Sequence, residues 1–424
     1  MYQKSDQLLQ RALKSIPLAS QTFSKSLTQY PIGVSPFFIK EGKGSKVIDV
    51  DGNEYIDFVS ALGAVTLGYC DEDIDKAVYD QMKSGVIFSL PHTLELHVSE
   101  KLIKHIPCAE KVRFAKNGTD ATSASIRIAR AYTNKEHIAV CGYHGWQDWY
   151  IGSTGRDLGV PNGVKKLTHK FQYNNINSLE ILFQEKEIAC VIMEPMNVEY
   201  PENNFLEKIK ELTHKNNALL IFDETFTGFR YAIGGAQVFF NVIPDMATFG
   251  KGMGNGLPIS AVVGSNKIMK VVEDIFFSGT FGGETLSLAA ANAVINKFEE
   301  RQVIKHLFET GKYLLEQLNG LIADGGLGDI FSTSGHPSWS FLNIKEQEKY
   351  SVFEIKTFFL QESFKRKILS LGFHNISFSH TKQDVDSLIA MYSEVLPMIK
   401  LHIYNEELLE NIHGQILEPL FKVR

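Results

Sequence analysis

A chain of 424 residues that is 44% apolar and 22% charged has room for a large core, and its length suits two structural domains. Its net charge of −6, with basic residues scattered along the chain, excludes the basic footprint of a nucleic-acid or anionic-membrane binder. No apolar run reaches the roughly 18 residues of a membrane span, and the opening MYQKSDQLLQ lacks a signal peptide's apolar stretch, so a cytoplasmic location is expected.

In chain order, residues 1–30 read as a polar, helical arm. Residues 37–39, 46–50 and 54–58 read as short strands, the last two separated by a turn at Asp51-Gly52-Asn53. Between about 110 and 265, short apolar runs alternate with helical patterns. The runs at 112–115, 138–141, 188–193, 219–222, 246–249 and 261–264 predict strands, with helices over 119–132, 178–184 and 205–216. Unbroken apolar strands alternating with helices imply a mostly parallel α/β sheet, whose site lies at the carboxyl ends of its strands. Asn117, Tyr143, Glu194, Asp223 and Lys251 stand just at or after those ends.

Beyond residue 300 come a helix over 302–324, further strands and a second long helix. That helix opens at Thr381 with Asp384 in capping-box spacing. The cluster Lys365-Arg366-Lys367 reads as a solvated helix face, and 404–422 as a final amphipathic segment. The expected division is a large α/β domain over 60–299, with 1–59 and 300–424 forming an N-terminal arm and a smaller α+β domain. Cys70, Cys108, Cys141 and Cys190 are widely spaced and show no metal-ligand pattern, so no metal is expected.

Five motifs could carry chemistry. Asn117-Gly118-Thr119-Asp120 runs from a strand into a helix, where free N–H groups and the dipole favour an anion; an ordinary N-cap reads the same way. The run 219–224 ends in Asp223 and Glu224, and a carboxylate there can hold a protonated ring nitrogen, bind metal or cap a turn. Lys251 sits between glycines after a strand, as a surface turn or as an amine awaiting desolvation. Tyr143-His144-Gly145-Trp146 offers an aromatic that stacks on a planar ring or packs at a domain edge. Residues 278–285 form a second Gly/hydroxyl loop, containing Thr280, before an Ala-rich helix. Each motif is ambiguous alone; their order along one α/β unit suits a phosphorylated pyridine aldehyde.

The run Asp223-Glu224-Thr225-Phe226-Thr227-Gly228-Phe229-Arg230, then Phe249-Gly250-Lys251 with Gly256-Leu257-Pro258, resembles the class III, fold-type I aminotransferases that use pyridoxal phosphate. The likeness covers nearly the whole chain and is greatest to the branch containing glutamate-1-semialdehyde aminomutase. It implies a large domain with a mostly parallel seven-stranded sheet, a smaller α+β domain, and a homodimer with shared active sites.

It also implies that Lys251 forms the Schiff base and Asp223 pairs with the pyridinium nitrogen. Gly118 and Thr119 would bind the phosphate, Thr280 would reach it from the partner subunit, and Tyr143, beside His144, would stack on the ring. Thr225 replaces a Val on the opposite face, and Glu199 replaces an Asn near the ring hydroxyl. Residues 150–165 would be a mobile gate. On the substrate side, Lys25, with Thr22 nearby as a further substrate residue, stands where the aminomutase has its carboxylate-binding Arg, Leu62 replaces a Trp, Gly372 is the nearest match to a gating Glu, and residues 281–285 replace a loop ending in Asn-Pro.

These departures point to a different substrate: an aminotransferase passing an amine from glutamate to a semialdehyde, keto-sugar or other carbonyl, through a pyridoxamine phosphate form. The alternatives are a true glutamate-1-semialdehyde 2,1-aminomutase, a non-catalytic scaffold relative, and a phosphate-binding α/β protein without the cofactor.

Overall fold

The computed structural model describes residues 2–418. They form two compact units: Glu72–Ile304, and the residues up to Asp71 together with those from Lys305 onward. The segment 60–71 thus falls in the second unit and 300–304 in the first.

The first unit is built on seven strands: β1 (Lys111–Ala115), β2 (His137–Cys141), β3 (Thr168–Lys170), β4 (Ile188–Met193), β5 (Leu219–Asp223), β6 (Met246–Phe249) and β7 (Ser260–Gly264). Their spatial order is β1-β7-β6-β5-β4-β2-β3. All neighbouring pairs are parallel except those of β7, which runs antiparallel to both β1 and β6. All six residues of β4 and all five of β5 are buried, which is why they read as continuous apolar runs.

Their side chains still alternate. Cys190, Ile192, Leu219 and Ile221 join Ala124 and Ile128 of helix α1 (Gly118–Thr133) in one core layer. Val191, Met193, Leu220 and Phe222 join Phe205, Leu206 and Ile209 of helix α2 (Phe205–Lys215) in the other. Each fully buried Val, Leu, Ile or Phe stabilises the sheet by about 1.5–3 kcal/mol. The strands predicted between 110 and 265 all fall on these elements, whereas the one predicted at 37–39 begins only at Ile39, in the second unit. The short edge strand β3, Thr-His-Lys, carries no apolar signal and went unread.

In the second unit, the strands Ile39–Lys43, Lys46–Asp49, Glu54–Asp57 and Ile368–Leu369 form one sheet; Phe331–His336, Trp339–Ile344 and Phe373–Asn375 form another. The helix Lys382–Tyr404 opens on the expected box: Thr381 N–H donates to Asp384 Oδ2 at 2.8 Å, and Asp384 N–H to Thr381 Oγ1 at 3.2 Å.

Three expectations need correction here. The N-terminal arm is α-helical only over Gln3–Ala12; beyond it Pro17 and left-handed Leu18 and Ala19 break the pattern, leaving single 3-10 turns at Pro17–Ala19 and Phe23–Lys25. Lys365-Arg366-Lys367 is not a solvated helix face. The helix ends at Lys365, Arg366 clasps Glu362 and Glu394 at 2.6 and 2.8 Å, and Lys367 turns left-handed. Past Tyr404 the chain leaves the helix, with one short turn at Leu409–Asn411; residues 419–422 of that segment lie outside the described residues.

Candidate active site

Three of the expected residues converge at the carboxyl ends of β2, β5 and β6. Asp223 is the last residue of β5 and is only 5% exposed. Its Oδ1 accepts the Thr225 N–H at 3.1 Å and the Thr248 hydroxyl at 3.0 Å, while its Oδ2 lies 2.9 Å from His144 Nδ1. Burial alone would raise the carboxyl's pKa. The hydrogen bonds from His144 and Thr225, with the His144 charge, hold it below its ordinary value instead.

His144 is itself buried, with Nε2 3.1 Å from the Cys141 carbonyl and its ring stacked on Trp149. His144, which taken alone reads from sequence as a structural histidine, is therefore Asp223's direct partner.

Lys251 opens a short 3-10 turn directly after β6, in a left-handed conformation (φ +42°). Its Nζ lies 4.3 Å from the centroid of the Phe226 ring, and the Arg230 guanidinium lies 5.2 Å from the same ring. Burial pushes the Lys251 amine down from its ordinary pKa. The carboxylates of Glu194 and Asp223 oppose that shift, and Arg230 reinforces it. An amine so placed loses its proton more easily than a surface lysine, as a nucleophile must.

Glu194, just past β4, is a second carboxylate in this group. Its Oε2 accepts the Tyr143 N–H at 2.9 Å and the Asn197 amide at 3.0 Å, and burial pushes its pKa up. Glu199, expected near a ring hydroxyl, is exposed, and Asn197 is the side chain that reaches the cluster. Tyr143 holds its ring half in solvent, edge-on to Tyr150 at 5.6 Å.

The loop after β2 comes back over the start of α1. Gly145 has φ +105°, and a Cβ there would lie 2.3 Å from Thr119 Oγ1; Trp146 N–H approaches the same hydroxyl at 3.4 Å. A Cβ on Gly118 would meet the Thr225 methyl at 2.9 Å, so the start of α1 passes close against Thr225. The second acid of the pair does separate work. Glu224 is fully buried and accepts the N–H groups of Ala236 and Gln237 at 2.7 and 2.9 Å and the Thr227 hydroxyl. Burial pushes its pKa up to about 7.

Thr280 does not join this group. It lines a separate cavity of about 430 Å³ within the same unit, with Lys116, Arg127, Phe277 and Phe281. Glu284 caps the helix Thr285–Glu300 and pairs with Lys116 at 2.8 Å. Residues 150–165 begin and end in single helical turns, Asp148–Ile151 and Asn162–Lys165, with Tyr150 buried and Leu158 fully exposed between them. Thr22, Lys25 and Leu62 belong to the second unit; Lys25 ends a 3-10 turn and Leu62 is left-handed.

Phe226, Arg230 and Asn197 were missed as site residues. Phe226 and Arg230 lay inside the diagnostic run already quoted, and Asn197 stands three residues after a strand-end acid. Among the described residues no cluster of three or more His, Cys, Asp or Glu side chains has metal-site geometry.

Residues 30–331 match the family described as aminotransferase class-III. The chain is 34% identical to a 3-aminobutyryl-CoA aminotransferase of Cloacimonas acidaminovorans (strain Evry), covering 87% of this chain and 91% of that one. It is also 34% identical to a glutamate-1-semialdehyde 2,1-aminomutase of Thermosipho africanus (strain TCF52B), covering 87% and 94%. The FumI protein of Sphingopyxis sp. MTA144, solved in its PLP internal aldimine form, superposes with a TM-score of 0.88 at 25% identity, covering 95% of this chain and 98% of that one. With the family's pattern running through most of its length, this chain belongs to the class III aminotransferases, enzymes dependent on pyridoxal phosphate.

Proposed function

We propose that the chain transfers an amino group from a donor amino acid, glutamate, to an aldehyde or ketone acceptor, with pyridoxal phosphate anchored on Lys251. The observation that carries this reading is the convergence of Lys251, Asp223 and His144 beside the Thr119 corner at the strand ends. The donor set fits the cofactor. Asp223 accepts three hydrogen bonds, so an acceptor position remains for a ring N–H. Thr119 and the α1 N-terminus suit a phosphate dianion.

When bound, the cofactor supplies an electrophilic aldehyde and a ring that draws electrons from the substrate carbon. The protein's own residues do the rest. Lys251 would hold the cofactor's aldehyde through its amine and would carry the proton at the substrate carbon. Asp223, kept ionised by His144, Thr225 and Thr248, holds the proton on the ring nitrogen. Gly118 and Thr119 would hold the phosphate, and Tyr143 and Thr225 would hold the ring. In this reading Asn197 takes the position beside the ring hydroxyl that the resemblance gave to Glu199. Thr22, Lys25 and Leu62 are the substrate-side residues.

A cytoplasmic homodimer in which Thr280 reaches the partner's phosphate is part of the proposal. The exposed Trp146, Phe276 and Phe281 supply apolar surface for such an interface. No described helix is long and apolar enough to cross a membrane.

The mutase relative favours a second reading, intramolecular transfer on glutamate-1-semialdehyde. Supplying that semialdehyde to the pyridoxamine form and measuring 5-aminolevulinate separates the two. The other relative's name adds acyl thioesters to the acceptor screen.

The first test is the near-ultraviolet and visible absorption of the purified protein, before and after borohydride and for Lys251→Ala. The expected result is a cofactor band that borohydride fixes covalently to Lys251, with band and turnover both lost in the variant. No band after added pyridoxal phosphate would sink the proposal.

A further inference from the structure

The ring of His144 lies between Asp223 and the Cys141 carbonyl, but the loop that carries it has little framework of its own. Gly142 and Gly145, on either side, both have φ +105°. Among the described residues no backbone–backbone hydrogen bond involves residues 143–146. Side chains hold this backbone instead. Glu194 Oε2 accepts the Tyr143 N–H at 2.9 Å, and the His144 carbonyl accepts the Thr122 hydroxyl at 2.8 Å.

Thr122 lies on α1 and is 1% exposed. A threonine within a helix ordinarily donates back to a carbonyl three or four residues earlier. Thr122 Oγ1 does lie 3.2 Å from the Thr119 carbonyl, but Ser123 already donates to that oxygen at 2.6 Å, and the His144 carbonyl is nearer. A hydroxyl has one proton to give, so the Thr122 proton goes to His144. Ser123, its own proton given to Thr119, is left as an acceptor and takes the Trp149 Nε1–H at 2.9 Å. Trp149 in turn stacks on the His144 ring, with centroids 6.4 Å and planes 15° apart. Two adjacent residues of α1 thus hold His144 at both ends, Thr122 at its carbonyl and Ser123, through Trp149, at its ring.

We infer that Thr122 and Ser123 are positioning residues that keep the His144 Nδ1–H on the Asp223 carboxylate. Burial pushes the Asp223 carboxyl up, and the His144 hydrogen bond is the strongest influence holding it down. A loop free to shift would misdirect that bond, which weakens steeply off line. Thr119 stands one turn earlier on the same helix, so one rigid element sets both the ring-nitrogen end and the phosphate end of the site. That Asp223 serves a ring nitrogen belongs to the function proposed above, and the inference rests on that reading only for its effect on rate.

The test follows solvent exchange of the His144 Nδ1 proton by NMR in the full-length protein, with and without pyridoxal phosphate. Thr122→Val keeps the shape of the side chain and removes its proton; exchange should quicken about tenfold while the amides of β5 keep their protection. Thr122→Ser should restore the parent rate. Ser123→Ala, at a partly exposed position, releases Trp149 and should quicken exchange about threefold. Ser125→Ala is the control: it removes a buried hydroxyl that donates within α1, to the Thr122 carbonyl, and should change nothing at His144. In the loaded enzyme Thr122→Val should lower kcat about three- to tenfold with KM nearly constant, because this buried side chain meets no substrate. An unchanged His144 rate in both Thr122→Val and Ser123→Ala would overturn the inference, as would an unchanged kcat in an active enzyme. Quickening spread equally over β5 would also overturn it, by showing a general loss of stability. Quickening confined to His144 in a protein that never shows cofactor absorption would support the two positioning roles and count only against the transamination reading.

Discussion

The Phe226 ring has the Lys251 ammonium 4.3 Å and the Arg230 guanidinium 5.2 Å from its centroid, so two cations share one aromatic group in a desolvated corner. Arg230 is 1% exposed and burial pushes it down to about 10. The ring's electron-rich face favours the charged form of Lys251, while burial and Arg230 disfavour it. Phe226→Leu removes the favourable contribution, so the Lys251 pKa should fall further, by about 0.5–1 unit. The pH dependence of amine labelling at Lys251 in cofactor-free protein measures this; an unchanged or raised pKa would show that the ring does not stabilise the ammonium. Asp223→Asn should retain the cofactor but lose turnover on the order of a hundredfold or more, because a neutral amide no longer opposes the ring-nitrogen charge. A rate near that of the parent would remove Asp223 from its proposed role. Much of this was legible in the sequence: Asp223 and Lys251 stand at strand ends, where an α/β sheet presents its chemistry. The His144 pairing was not, because it joins residues 79 apart through the packing of β2 near β5. Nor was the division of the acid pair, since only the fold shows that Glu224 turns away to cap residues 236 and 237.

Elements place the anion corner through backbone conformation. The loop from β2 comes back to α1 only because Gly145 holds φ +105° with nothing between its Cα and Thr119. In Gly145→Ala the new methyl would sit 2.3 Å from Thr119 Oγ1 in a left-handed residue, so the hydroxyl must move. Cofactor affinity, read by absorption titration, should weaken about tenfold or more, whereas Gly159→Ala should leave it nearly intact. Gly159 shares the positive φ, at +87°, but a Cβ there meets nothing within 4 Å, so it carries strain without collision. Equal effects of the two substitutions would mean that strain alone, and not displacement of Thr119, matters. The parallel strands were readable because burial on both faces makes them unbroken apolar runs. β3 escaped because three polar-edged residues carry no period, and the arm past Ala12 because propensity cannot foresee the left-handed turn at Leu18. The cluster at 365–367 misled for the opposite reason: its charges looked solvated, yet Arg366 holds two glutamates together.

On the scale of the whole molecule, two buried groups give the two units opposite responses to pH. His374, in the second unit, is fully buried between the Ser340 hydroxyl at 2.9 Å and the Tyr392 hydroxyl at 2.6 Å, and burial pushes it down to about 3 from its ordinary 6.5. Unfolding therefore takes up a proton between those values, so stability falls as pH drops from about 6.5 toward 3, by about 1.4 kcal/mol per unit. Glu224, in the first unit, is raised to about 7 from 4.5. Its folded form holds the proton more tightly, so stability from this group is present below pH 4.5 and is lost as pH rises toward 7, with a similar slope. Between about 4.5 and 6.5 the two contributions run against each other. Hydrogen exchange resolved along the sequence should show strand Phe373–Asn375 and its neighbours losing protection first on acidification, and β5 with the loop to residue 237 losing protection toward neutral pH. His374→Gln should flatten the acid limb in the second unit and leave the first unit's profile unchanged. If both units instead lost protection together at every pH, a single cooperative transition would override these local titrations.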